Sequence, residues 1–353
     1  MRWFLFVFLC TMANCHAGIL HRMSVGQKTG FVDGAGRVVV PFVYSEATQF
    51  SEGLAAARSA GEWVIIDGAG SVLSTNHCQS IEPFSEGLAG ARLQEKWGFI
   101  NMSSGWAVPP RFERVRGFSE GLACGELARG WHYLDRAGRE LAGPFQAAYP
   151  FRSGFGVVVV SNRWGILDKD FEFKIKPDYD EITMYEPGCV RVKQANKWGL
   201  LDSQMNRRLP CAYDWVGDLV EGRVAVRQVG RWGWLLSSGR APAQLQFDFA
   251  GRFSEGRAAF GQGRMYGFIN NFFHIVIPAQ YEEVLPFSEG TAWVRKGTKW
   301  SVVDPEGNQL SAPAQYLSVA PFRDGVAVVA TKESLRDGEF LMVNRYGKVI
   351  SPK

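Results

Sequence analysis

Three short apolar patterns recur along the chain. From Leu88 it reads Leu-Ala-Gly-Ala-Arg, in which small or apolar residues alternate with larger ones. From Trp97 it reads Trp-Gly-Phe-Ile, a brief aromatic and apolar run, and a third run such as Ile275-Val276-Ile277 is β-branched and stops at Pro278. A period of two over such short stretches predicts strands. Asp-x-x-Gly separates the second run from the third at Asp33/Gly36, Asp67/Gly70, Asp135/Gly138 and Asp304/Gly307. There Asp can accept hydrogen bonds from the turn backbone while Gly takes the left-handed conformation. No repeat holds roughly ten residues at helical spacing free of Gly and Pro, so helices are excluded.

These patterns sit on a fixed period. Phe-Ser-Glu-Gly begins at Phe50, Phe84, Phe118, Phe253 and Phe287, with degenerate copies at Phe151, Tyr185, Leu219 and Phe322, and successive anchors lie 33 to 35 residues apart. Thirteen residues after each comes an aromatic landmark: Trp63, Trp97, Trp131, Trp164, Trp198, Trp232, Tyr266 and Trp300. A proline closes most copies, as at Pro110, Pro144, Pro177, Pro210, Pro278 and Pro313. Each copy then predicts a three-stranded antiparallel meander, with the post-proline residues leading to the next. One meander is marginal alone, so neighbours must stack, with the indoles expected to cover the following copy. The expected fold is all-β: about ten tandem repeats over residues 18–353, stacked as an open solenoid, with a closed propeller-like ring as the alternative. The last copy carries an insertion around residues 332–338.

Phe-Ser-Glu-Gly-Leu-Ala-x-Ala-Arg, then Lys96-Trp97-Gly98-Phe99-Ile100, then a proline-aromatic close, resembles the WG-repeat proteins of bacteria. The resemblance spans essentially all of residues 18–353. Departures are Tyr266 in place of Trp, and Val64, His132 and Ser301 in place of Gly. It implies a β-rich scaffold, often exported, and brings no catalytic residues.

Composition narrows the function. Of the 353 residues 46% are hydrophobic, enough for a large core, and the formal charge is only +4 with 39 basic and 35 acidic residues interspersed. That argues against nucleic acid as a partner. Residues 1–17 read as a secretory signal: Arg2, an apolar stretch from Trp3 to Met12, then cleavage near Ala17, with a lipoprotein cysteine at Cys15 as the weaker rival. The expected location is the periplasm or the exterior, and no later run is long enough to span a membrane. Cys78, Cys124, Cys189 and Cys211 show no metal spacing, and Cys189 and Cys211 share one repeat, so either a disulfide or buried thiols would serve.

Candidate chemistry is sparse. His21, His77, His132 and His274 lie in different repeats, and no nucleophile, phosphate-loop or metal motif occurs, so no catalytic, metal or cofactor residues are assigned. Glu52, Glu86, Glu120, Glu221, Glu255 and Glu289 recur before Gly; residues repeated in every unit maintain the unit, so they are expected to bond the backbone rather than form a cation or sugar ladder. Arg58, Arg92, Lys193, Arg227 and Arg295 fall eight residues after their anchors and make a broken basic row, interrupted by Glu126, Val159 and Gly261. That row is the candidate binding face, set against a plain solvated edge. The expectation is an exported, non-catalytic scaffold binding a protein or cell-envelope glycan; a structural envelope factor is the alternative, and a glycan-active enzyme would need two convergent carboxylates in a pocket. The non-repeating aromatics Trp106, Tyr149, Trp234 and Trp293 would support binding if they gathered into one exposed patch.

Overall fold

The computed structural model describes residues 20–34, 37–185, 189–238, 245–332 and 341–350. Residues 1–17, Cys15, Gly36 and most of the 332–338 insertion lie outside them. No helix long and apolar enough to cross a membrane is present among the described residues.

The chain divides into two compact units, residues 1–178 and 179–353. Both are built from small antiparallel sheets, ten among the described residues, of which seven have four strands and three have three. In the first unit one sheet runs Ser80–Ile81, Leu88–Leu93, Lys96–Asn101 and Trp106–Phe112 in sequence order. We call these the lead, anchor, tryptophan and closing strands. The lead strand corrects the expected three-stranded meander. Residues after the proline are not mere linker: Ser80 and Ile81 pair with Arg92 and Ala91. The chain arriving from the previous sheet must satisfy its own backbone groups, and the free edge of the anchor strand supplies the partners.

Within each unit, consecutive sheets face each other and a cluster of buried side chains lies in each gap. Ile65, Ala56 and Trp63 of one sheet meet Ile81, Phe84, Ala89 and Ala91 of the next. In the second unit Phe268 and Ile277 meet Phe287, Ala292 and Val294. Where the anchor is phenylalanine, the centre of the gap is that ring against the residue two positions beyond the aromatic landmark. Phe99 and Phe118 sit edge to face at 4.9 Å, as do Tyr133 with Phe151 and Phe268 with Phe287. Such pairs add about 0.5–1.5 kcal/mol beyond the apolar area they bury.

The landmarks themselves lie nearer the rim than the sequence suggests. Trp63, Trp131 and Trp300 are buried, whereas Trp97, Trp164, Trp198, Trp232 and Tyr266 are half-buried. They touch the next sheet, but the deeper cover comes from Ile65, Phe99, Tyr133, Leu200, Trp234, Phe268 and Val302.

The glycine after the landmark has a steric cause. A Cβ on Gly98 would lie 2.4 Å from the Val108 carbonyl oxygen, and one on Gly267 2.3 Å from that of Ile277. The closing strand bulges there, its register shifting beside the prolines, and its backbone presses onto the glycine. Where the landmark is followed by Val64, the closing strand Val72–Asn76 has no proline and pairs residue for residue from Trp63↔Asn76 to Ile65↔Ser74. The departure at His132 is met differently. Gly143 stands opposite, where a Cβ would come 2.7 Å from the imidazole, so the glycine has changed strands. His132 is accordingly a packed residue, its Nδ1 3.0 Å from the Gly130 carbonyl.

Candidate functional site

The Phe-Ser-Glu-Gly turns form a hydrogen-bonded ladder in each unit. Glu52 accepts from the Glu86 and Gly87 amides at 2.6 and 2.8 Å, Glu86 from the Gly121 amide at 3.0 Å, and Glu120 from the Gly154 amide at 2.9 Å. In the second unit Glu255 accepts from the Glu289 and Gly290 amides, both at 2.7 Å. The preceding serine adds a second rail: Ser119 Oγ donates to the Phe151 carbonyl and Ser254 Oγ to that of Phe287, at 2.6 and 2.8 Å. The glutamates sit at φ near +50°, which aims each side chain at the following turn. The recurrent acids thus hold backbone, as expected of residues that maintain the repeat.

The aspartates of the second turn act locally. One carboxylate oxygen of Asp135 accepts from the Ala137 and Arg139 amides, both at 2.9 Å. Burial pushes this carboxyl up, but the amides and the Arg139 guanidinium outweigh it and hold it below the usual range. Asp202 and Asp304 are held low in the same way, with Asn206 and Asn308 as the main partners. Among the described residues no group of three or more His, Cys, Asp and Glu gathers where it could hold a metal ion. Cys78, Cys124, Cys189 and Cys211 are free thiols.

The basic row exists, but its charges are engaged. Arg58 lies 6.0 Å from the Trp63 ring centroid, Lys193 5.3 Å from Trp198, Arg227 5.6 Å from Trp232 and Arg295 5.9 Å from Trp300. Arg295 also pairs with Glu282 and Glu283, each at 3.0 Å, and Arg92 with Glu95 at 3.6 Å. Arg58, Lys193, Arg227 and Arg295 thus roof the indoles, and Arg92 and Arg295 are ion-paired. At the same position Glu126 pairs with Arg114, whose guanidinium covers Trp131. The non-repeating aromatics do not gather into an exposed patch: Trp234 and Trp293 are buried, Trp293 stacking on Phe322 at 5.4 Å.

Two hollows lie at equivalent places on the rim, one in each unit, each beside the lead strands of consecutive sheets. The larger encloses about 450 Å³ and is lined by Phe249, Arg252, Arg257, Tyr266, Glu282 and Glu283, among others. The smaller encloses about 300 Å³, between Glu82, Trp97, Arg114, Val115, Arg116 and Trp131. Small residues make the room: Gly251 and Ala259 line the first, and Gly90 lies beneath the Glu82 carboxylate in the second. In other copies the space is filled, by Tyr149 stacked on Trp164 at 5.4 Å, by Trp293, or, beside the small Gly217, by the Trp215 ring. The sequence pattern missed both hollows, because their signal is a small residue at a varying position.

A model of the WG containing repeat matches residues 30–63, 65–97, 97–124, 164–198, 198–232, 243–264 and 266–300. No protein of curated function matches the chain. Among solved structures, a eukaryotic initiation factor shares 11% identity at a TM-score of 0.46, over 95% of this chain and 96% of its own. The extracellular domain of a hybrid two-component system from B. thetaiotaomicron shares 9% identity at a TM-score of 0.31, over 97% of this chain and 59% of its own. PorZ, a surface component of the type-IX secretion system of Porphyromonas gingivalis, shares 11% at 0.30, over 95% and 53%.

Proposed function

The chain belongs to the WG-repeat family, and on that premise we propose that it is an exported, non-catalytic scaffold that binds a protein or cell-envelope glycan through the rim of its sheets. The observation that carries this reading is the pair of rim hollows, each walled by aromatic rings and by charges of both signs. Ligand sites combine apolar walls with a few placed polar groups, and repeat arrays vary such positions while keeping the frame. Export to the periplasm or exterior is part of the proposal and rests on residues 1–17. An open stack, as opposed to a ring, likewise rests on the sequence alone; small-angle X-ray scattering tests it.

The test is capture from envelope extract by the immobilised chain. Specific recovery of a protein or glycan, weakened by filling a hollow with Ala259→Trp, supports the reading. Recovery of nothing, under conditions where the chain is folded, refutes it and favours a purely structural envelope role.

One observation keeps an enzymatic reading testable. Glu282 and Glu283 both line the larger hollow, as two convergent carboxylates would in a glycosidase. Both are held by the single Arg295 guanidinium, and an ion-paired carboxylate is a poor proton donor. Release of sugars from envelope glycans, abolished by Glu283→Gln, would overturn the non-catalytic assignment.

A further inference from the structure

The smaller hollow holds two charges that the molecule itself leaves unanswered. Arg116 makes no ion pair or hydrogen bond among the described residues, and its Nε is fully buried without a partner. The guanidinium lies over two rings, 4.9 Å from the Trp131 centroid and 4.3 Å from that of Tyr149. With rings on its flanks, the group has its N–H edge left to bond, and that edge matches a carboxylate through two parallel hydrogen bonds. Its neighbours Arg114 and Glu126 are already paired with each other.

Glu82 is the second charge. Its side chain likewise has no bonded partner among the described residues, although most carboxylates of this protein are bound to an amide or a cation. Burial pushes it up and the field of Arg116 opposes that, so the two groups feel each other without touching. The carboxylate rests above Gly90, where a Cβ would stand 2.9 Å from Oε2. The alanine found there in the preceding repeat, Ala56, would crowd it. Trp97 and Trp131 wall the same space.

An unpaired cation and an unpaired anion in one aromatic hollow complement a ligand carrying both signs a short distance apart. A purely anionic ligand would meet Glu82, and a purely cationic one Arg116, so either is disfavoured by like charge. We propose that this hollow binds the zwitterionic head of an α-amino acid. Arg116 receives the carboxylate, Glu82 accepts from the ammonium, and the half-buried Trp97 offers its ring face to the ammonium or the side chain. About 300 Å³ is the lower end of the range for small-molecule sites, which suits one amino-acid unit. This head occurs on free amino acids and on the unlinked diaminopimelate end of a murein stem peptide. The proposal rests on the scaffold reading only for the second source.

The test is isothermal titration of the full chain with L-phenylalanine and meso-diaminopimelate, beside N-acetyl-phenylalanine and phenylalanine amide, which each lack one charge. The zwitterions are expected to bind and each blocked analogue to bind at least about tenfold more weakly, since one charge-assisted contact is lost. Arg116→Gln and Glu82→Gln should each weaken the zwitterions by a similar factor while far-UV spectra and melting stay near those of the parent. Gly90→Ala, which pushes the carboxylate aside, should weaken them too. Equal binding of the blocked analogues, or no binding of any zwitterion at millimolar concentration, overturns the proposal. Murein fragments with free diaminopimelate ends separate the sources: competition by them supports an envelope ligand, and binding of free amino acids alone supports a soluble one. If envelope capture succeeds but is unchanged by Arg116→Gln, this site fails and the scaffold reading survives; if zwitterions bind but nothing is captured, the reverse holds.

Discussion

Replacing Gly267 by alanine isolates the constraint behind the Trp-Gly signature. The new Cβ would lie 2.3 Å from the Ile277 carbonyl oxygen, 2.6 Å from the Pro278 carbonyl carbon and 2.8 Å from the Ala279 nitrogen. All three are backbone atoms, so no side chain can swing away. Ordinary carbon–oxygen contacts need roughly 3.3 Å, so the closing strand must retreat by about 1 Å. That retreat strains the pairing of Phe268 with Ile277 and opens the gap that both side chains fill, at 0% and 1% exposure. Overpacking of this kind costs about 1–3 kcal/mol, and damaged strand pairing adds about 1 kcal/mol, for a loss of about 3 kcal/mol. Urea denaturation followed by tryptophan fluorescence measures it. The same change in reverse, Val64→Gly, meets no such wall because the strand opposite Val64 runs straight. It should cost about 1–2 kcal/mol through lost burial and backbone entropy. A Gly267→Ala protein within about 0.5 kcal/mol of the parent would refute the argument that the bulged strand dictates the glycine.

Three further outcomes follow from the structure. Glu255→Ala removes both bonds to the Glu289 and Gly290 amides; because these groups are exposed and water can replace the carboxylate, the loss should be about 1–2 kcal/mol, with faster hydrogen exchange confined to those two amides, and exchange unchanged there would contradict the ladder. Burial pushes the Cys124 thiol up to about 12 and the Cys78 thiol up to about 11, so iodoacetamide at neutral pH should label neither until the protein unfolds; stoichiometric labelling of native Cys124 would show the packing to be wrong. Asp135, Asp202 and Asp304 titrate below their ordinary 3.8; depressed groups stabilise the fold above that value and lose the contribution as pH falls through the folded one. The urea midpoint should therefore be nearly level above about pH 5 and decline below about pH 4, and Asp202→Asn should flatten the decline; a decline beginning near neutrality would point to other groups.

The strands, both turns and the period were legible in the sequence because each is written in local chemistry: alternation, Asp-x-x-Gly and a recurring Phe-Ser-Glu-Gly. The lead strand was not, since two residues such as Ser80 and Ile81 carry no period, and their pairing is decided by an edge left open elsewhere. The indoles drew attention by size, yet the bulge at Gly98 brings Phe99 deeper than Trp97. The basic row was placed from alternation alone, which says where Arg58 or Arg295 points but not that an indole lies beneath it. The smaller hollow escaped because its parts, Glu82, Gly90, Arg116 and Tyr149, are spread over three repeats. Nothing short of packed coordinates joins them.

The rails of serine and glutamate have a sense as well as a strength. Where the turn keeps both residues, as at Ser85-Glu86 and Ser119-Glu120 in the first unit and Ser254-Glu255 and Ser288-Glu289 in the second, it gives a carboxylate and a hydroxyl to the copy ahead. Copies that keep both residues present the same contacts fore and aft, so a gene encoding such a chain can gain a unit by duplicating one of them without creating an unmatched turn. Length can then change at those turns while their contacts are kept.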